Sequence, residues 1–168
     1  MKKILILDDD LVYLRLVCRI LTSRGYKVRQ ASHHVEFFSQ LEGEEPQLVM
    51  LDINMPEKDG FQVYRELMAQ HTIPVLFVTG YPASFNLALD SVWQPWQTHV
   101  AEGQTDILYK PFRMGNLARK VEGLIGAGQP KETTTPPATE RLAIIRRIRQ
   151  TLVRYGVDLG RLFVGYDG

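Results

Sequence analysis

Four stretches of this 168-residue chain place a polar side chain suited to phosphoryl chemistry directly after an apolar run. They are Asp8-Asp9-Asp10 after Ile4-Leu5-Ile6-Leu7, Asp52 after Leu48-Val49-Met50-Leu51, Thr79 after Val75-Leu76-Phe77-Val78, and Lys110 after Ile107-Leu108-Tyr109. Carboxylates brought to one place repel and raise one another's pKa unless positive charge lies between them. A hard divalent cation meets that need, and Mg²⁺ takes one or two carboxylates, waters and a phosphate oxygen. Lys110 adds a second positive charge and Thr79 a hydroxyl donor. Such a set stabilises charge on a phosphoryl group moving onto a carboxylate oxygen, with Asp52 as the nucleophile that becomes an aspartyl phosphate.

The elements that must position these residues can be read from local pattern. An unbroken apolar run such as 48–51 reads as a strand buried on both faces, the mark of a parallel sheet. In open α/β sheets, ligands bind beyond the carboxyl ends of the strands, which is where all four polar positions fall. The first strand, residues 4–7, leads to a helix over 11–24, capped by Asp10 and ended by Gly25, with Leu14, Val17, Cys18 and Leu21 as its apolar face. A more exposed strand covers 26–31. Ser32 is placed to cap a helix carrying Val35, Phe38 and Leu41. The Asp52 strand and its loop feed a helix over 61–70. A strand over 73–78 ends at Thr79-Gly80, a helix is expected within 81–105, a strand covers 106–109, and a last helix covers 114–125 with Leu117, Val121, Leu124 and Ile125 inward. Five βα units predict a doubly wound parallel sheet with right-handed crossovers.

Composition sets the frame. Apolar residues make up 45% of the chain, enough for a sizeable core, and the net charge of +1 calls for no polyanionic partner. Residues 1–125 hold 13 Lys/Arg and 15 Asp/Glu, whereas 126–168 hold 7 and 4, so a basic appendage follows a mildly acidic domain. The expected organisation is a domain over 1–125, a Gly/Pro/Thr-rich linker over 126–139, and a basic amphipathic helix and tail over 140–168. The single cysteine, Cys18, excludes an intrachain disulfide and reads as a small core residue. No signal peptide is evident and no run of about 18 apolar residues occurs. A soluble, cytoplasmic protein without membrane contact is expected. His33, His34, His71 and His99 show no metal-ligand spacing, and adjacent His33 and His34 are not expected to face one ion together.

Taken in order, Asp8-Asp9, the run Asp52-Ile-Asn-Met-Pro-Glu-Lys-Asp-Gly60, Thr79 and Lys110-Pro111-Phe112 resemble the receiver domains of two-component response regulators over residues 1–125. The resemblance implies a flavodoxin-like (βα)5 fold with strand order 2-1-3-4-5. It implies that Asp52 is the phosphoacceptor for a histidine kinase or a histidine phosphotransfer protein. Asp9 would be a direct Mg²⁺ ligand, Asp8 a water-mediated one, and the Asn54 backbone carbonyl a further ligand. Thr79 and Lys110 would contact the phosphoryl oxygens, Lys110-Pro111 would be cis, and Gly60 would supply a turn that a side chain obstructs. Self-phosphorylation and autodephosphorylation are the only catalysis this implies; the chain is otherwise no enzyme.

Two departures bear on the output. The family's inward-rotating Tyr or Phe three residues before the Lys is here Ile107, so the switch is muted or passes to Tyr109 or Tyr81. The interval from Thr79 to Lys110 is longer than the family's habit, with the excess around 84–99, where Trp93 and Trp96 flank Pro95. Those tryptophans either pack on the domain or contact an output protein. The 140–155 helix docks on the receiver, pairs with a partner or a second copy, or lies on nucleic acid, and a DNA-binding module is improbable because no second helix of a helix-turn-helix follows. Two rival readings stand beside the resemblance. One is a phosphorylation-independent adaptor. The other is a haloacid-dehalogenase-like phosphatase with Asp8 as nucleophile and Asp10 as acid/base, which leaves the Asp52 loop unexplained.

Overall fold

A computed structural model describes residues 1–43, 45–80 and 104–127. The expected helix within 81–105, the 84–99 insertion with Trp93 and Trp96, Tyr81, His99, and the linker and helix beyond 127 lie outside the described residues. Five strands, β1 (Lys3–Leu7), β2 (Lys27–Ala31), β3 (Leu48–Asp52), β4 (Val75–Thr79) and β5 (Thr105–Tyr109), form one parallel sheet in the order β2-β1-β3-β4-β5. The flavodoxin-like order expected from the resemblance is thus present. Every residue of β3 and β4 is buried, as their continuous apolar sequences require of strands covered on both faces.

Strand alternation divides the core in two. The even-numbered residues Ile4, Ile6, Leu48, Met50, Leu76, Val78 and Leu108 pack beneath α1 (Leu11–Ser23) and the last described helix, α4 (Met114–Ala127). The odd-numbered Leu5, Leu7, Val49, Leu51, Val75 and Phe77 pack beneath α2 (His34–Gly43) and α3 (Gly60–Gln70). Because the crossover leaving β1 (α1) and the one leaving β3 (α3) lie on opposite faces, the carboxyl ends of β1 and β3 form a topological switch point, where such sheets bind ligands.

Helix ends follow local chemistry. The Asp10 carboxylate accepts from the Val12 and Tyr13 N–H groups, both at 3.0 Å. At the other end of α1, Gly25 N–H donates to Thr22 O and Tyr26 N–H to Leu21 O, with Gly25 at φ +87°, a left-handed position that suits glycine. Asp59 and Gln62 form a reciprocal capping box at the start of α3. Two details of α2 differ from expectation. His33, not Ser32, caps it: Phe37 N–H donates to His33 O at 3.0 Å and Val35 N–H to the His33 ring Nδ1 at 3.3 Å. Its inward face is Phe37 and Leu41, with Phe38 partly buried against the same core, while Val35 in the first turn is exposed. Cys18 is half-buried and packs on the α1 side of the sheet. No described helix is long and apolar enough to cross a membrane.

Candidate functional site

Register decides which polar residues meet. Leu7 pairs with Leu51, so Asp8 and Asp52 emerge level with each other from neighbouring strands. Asp52 pairs with Val78 and Thr79 with Tyr109, which brings the Thr79 and Lys110 ends alongside. Lys110 N–H donates to Thr79 O at 2.7 Å, and the Lys110–Pro111 peptide is cis, as expected. The Lys110 ammonium then sits 2.6 Å from Asp8 Oδ2 and 3.3 Å from Asp52 Oδ1. Asp8, Asp52 and Thr79 are buried and Asp9 is exposed. Asn54 lies exposed two residues beyond Asp52.

One ammonium faces three carboxylates here, so positive charge is in deficit. Burial, opposed by Lys110 and reinforced by Asp8 and Asp9, pushes the Asp52 carboxyl up to about 6. Burial also raises Asp8, against the pull of Lys110 and of the Asp10 N–H that donates to it at 3.0 Å. Oxygens of Asp8, Asp9 and Asp52 all lie within 4.8 Å of one another. An all-oxygen, negatively charged set of this size suits a hard cation.

The raised carboxyls have a consequence for stability. Folded Asp52 holds its proton more tightly than the unfolded chain does. Its contribution is therefore fully present below the unfolded value and is lost as pH rises through about 6. Asp8 is raised in the same direction, so its contribution is lost over the same rise in pH. Added Mg²⁺ should accordingly raise the melting temperature far more near pH 7.5 than near pH 4.5. Thermal denaturation with and without the ion checks this, and equal increments at both pH values would contradict it.

Tyr13 joins the site without a signal in its local sequence beyond helical periodicity. Its ring lies under the Lys110 ammonium, 3.9 Å from Nζ to the centroid, and meets Phe112 edge-on at 5.7 Å. Its hydroxyl is buried with no hydrogen-bond partner among the described residues. Burial and the charges of Asp8, Asp52 and Asp10 push its pKa up, so the hydroxyl stays protonated.

As expected, a side chain at Gly60 would be obstructed, here by close backbone contact rather than by a left-handed φ. It is the first residue of α3, its N–H donates to Ile53 O at 3.0 Å, and its backbone φ is not left-handed. A Cβ there would overlap the Asp52 carbonyl oxygen and come within 2.9 Å of Ile53 Cα. The missing side chain lets α3 close directly onto the strand end that carries Asp52.

Ile107 is half-buried opposite Phe77, packed on the α2/α3 side of the sheet. His33 and His34, not expected to face one ion together, nonetheless turn toward a common carboxylate. Their rings stack at 4.3 Å, and Glu57 from the loop after β3 reaches both, at 2.5 Å from His33 Nε2 and 4.0 Å from His34 Nδ1. The helix start turns the two side chains toward a loop that lies more than twenty positions away, a proximity that ligand spacing does not encode.

Comparison with known proteins bears on the whole arrangement. The family model "Response regulator receiver domain" matches residues 4–122. A probable transcriptional regulator, ycf27, of Cyanophora paradoxa is 31% identical over 144 residues, covering 85% of this chain and 56% of its own length. Response regulator MprA of Mycobacterium sp. (strain KMS) is 31% identical over 137 residues, with coverage of 81% and 56%. The chain thus spans little more than half the length of these relatives. Among solved structures, a two-component response regulator from Clostridium difficile shares the fold at TM-score 0.64 and 23% identity, covering 77% of this chain and all of that one. TrrA of Thermotoga maritima in complex with Mg²⁺-BeF is 27% identical at TM-score 0.60, covering 74% and 99%. With relatives named as transcriptional regulators, the expectation that DNA is an improbable partner finds no support and is not carried forward. By the match over residues 4–122 and by relatives above 30% identity, this chain belongs to the family of response regulator receiver domains, the receiving modules of two-component signalling.

Proposed function

We propose that Asp52 accepts a phosphoryl group from the phosphohistidine of a histidine kinase or histidine phosphotransfer protein. The observation that carries this is the position of the Asp52 carboxylate, buried at the end of β3, 3.3 Å from the Lys110 ammonium and clustered with Asp8 and Asp9. The P–N bond to histidine breaks as the bond from phosphorus to an Asp52 oxygen forms, and water later hydrolyses the acyl phosphate. Asp8, Asp9, Asp52 and the Asn54 carbonyl are the residues that would hold Mg²⁺, with Asp9 as a direct ligand and Asp8 acting through water. The ion, when bound, supplies charge to the phosphoryl oxygens. Its occurrence with BeF in TrrA supports this assignment.

In this reading Lys110 exchanges its carboxylate partners for a phosphoryl oxygen, and Thr79 supplies a hydroxyl. Exposed Leu11 and Val12, on the first turn of α1 beside Asp9, provide an apolar surface for the donor protein. The modified domain signals to an output domain or protein, with Trp93 and Trp96 as contacts, and acts in the cytoplasm. Its only catalysis is its own phosphorylation and dephosphorylation.

The hydrolase alternative requires Asp10 as acid/base, yet that carboxylate caps α1 and accepts two backbone N–H groups. Incubation with acetyl phosphate and Mg²⁺, followed by peptide mapping, tests the proposal. Label on Asp52 is expected; label on Asp8 with turnover of small phosphate esters would establish the hydrolase instead.

Tyr13 steers the same chemistry by holding the Lys110 ammonium through its ring face. A partly desolvated contact of this kind contributes about 1 kcal/mol, roughly fivefold in rate. Tyr13→Leu should slow phosphorylation by acetyl phosphate by that factor, while Tyr13→Phe, which keeps the ring, should stay near wild type. Equal loss in both variants would assign the effect to the hydroxyl.

A further inference from the structure

We propose that His33, His34 and Glu57 form a second metal site, selective for a borderline first-row cation such as Zn²⁺ and separate from the carboxylate cluster. One ligand atom from each residue lies within 4.8 Å of the other two. For bonds near 2.0–2.1 Å in tetrahedral geometry, ligand atoms stand about 3.4 Å apart. The 2.5 Å and 4.0 Å separations to Glu57 Oε2 bracket that value, and the two imidazole nitrogens lie within 4.8 Å of each other, so side-chain rotation alone can draw the three ligands onto one ion. Two nitrogens and one carboxylate oxygen match Zn²⁺ coordination and leave a fourth position for water or a partner's side chain.

A surface His–Glu hydrogen bond explains the His33 contact alone, and exposed pairs of this kind add little to stability. It does not explain why the second imidazole stacks on the first with its Nδ1 toward the same carboxylate oxygen. Metal binding at His33 Nε2 moves the ring proton to Nδ1 and breaks the 3.3 Å bond from Val35 N–H. That is one long, exposed hydrogen bond, which water replaces at small cost. Side-chain exposures of 45% for His33, 24% for His34 and 66% for Glu57 leave an open path for the ion. Mg²⁺, which takes oxygen ligands, does not compete for the imidazoles. An ion here ties the start of α2 to the loop that follows Asp52.

Calorimetric titration of the untagged full chain with Zn²⁺, in excess Mg²⁺, tests the site, with imidazole ¹H–¹⁵N spectra identifying the ligands and circular dichroism verifying the fold of each variant. One Zn²⁺ per chain is expected. His34→Ala and Glu57→Gln should each weaken it roughly tenfold or more, since each removes one of three protein ligands. His71→Ala and Asp52→Asn should leave it unchanged. No Zn²⁺ uptake, or uptake indifferent to His34→Ala, would overturn the proposal. So would weakening in Asp52→Asn alone, which places the ion among the carboxylates and leaves the phosphoacceptor assignment standing.

Discussion

Asp52→Asn is expected to yield a folded domain that takes up no phosphoryl group from acetyl phosphate or from a phosphorylated kinase. The amide keeps the shape of the carboxylate but has no anionic oxygen to attack phosphorus, so the loss is complete rather than graded. A second readout separates this from simple damage. Asp52 is 5% exposed and its carboxyl is pushed up to about 6, mainly by burial, so its charge opposes folding at neutral pH. Removing that charge also removes the 3.3 Å pair with Lys110, but Lys110 retains Asp8 at 2.6 Å. The metal-free variant should therefore melt at or above the wild-type temperature near pH 7.5 while incorporating nothing. Phosphate incorporation that survived the substitution would remove Asp52 from its assigned role.

Gly60→Val should destabilise the domain by several kcal/mol, a large fraction of the roughly 5–15 kcal/mol that holds a domain of this size together. The clash is with backbone, the Asp52 carbonyl and Ile53 Cα, so no side-chain rotation relieves it. Either α3 withdraws from the sheet, uncovering Phe61 and Tyr64 from Phe77, or the end of β3 moves and takes the Asp52 carboxylate with it. Gly60→Ala should show the same direction with smaller size. Gly123→Ala provides the contrast, since an added Cβ in that exposed turn of α4 meets nothing within 4 Å. It should stabilise by about 0.5–1 kcal/mol through helix propensity. Urea denaturation measures all three. Gly60→Ala within about 0.5 kcal/mol of wild type would show that the helix start tolerates a side chain.

Both expectations depend on adjacency between segments far apart in the chain, and this marks what local reading can and cannot reach. Leu48–Leu51 reads as a doubly buried strand because four consecutive apolar residues have no polar face to offer water. Asp10 and Gly25 mark helix ends because a side chain or backbone freedom satisfies orphan groups within a few residues, whereas the Asp59 cap of α3 emerged only in the structure. The candidate residues Asp8, Asp9, Asp52, Thr79 and Lys110 were legible for the same reason, as polar punctuation after strands. The resemblance supplied their order and hence a sheet order.

The sequence by itself therefore determined the strands, most helix limits, and the kind of chemistry the strand ends can perform. Tertiary structure alone decided which groups touch. Lys110 reaches Asp8 across 102 residues and Asp52 across 58, through a register that sets Leu7 against Leu51 and Thr79 against Tyr109. It also decided that Tyr13 supports the lysine, that Gly60 lies against the Asp52 carbonyl, and that Glu57 meets both histidines at the start of α2. Periodicity records which face of an element turns inward, whereas the neighbour on that face is set by how the whole sheet twists and how its crossovers pack.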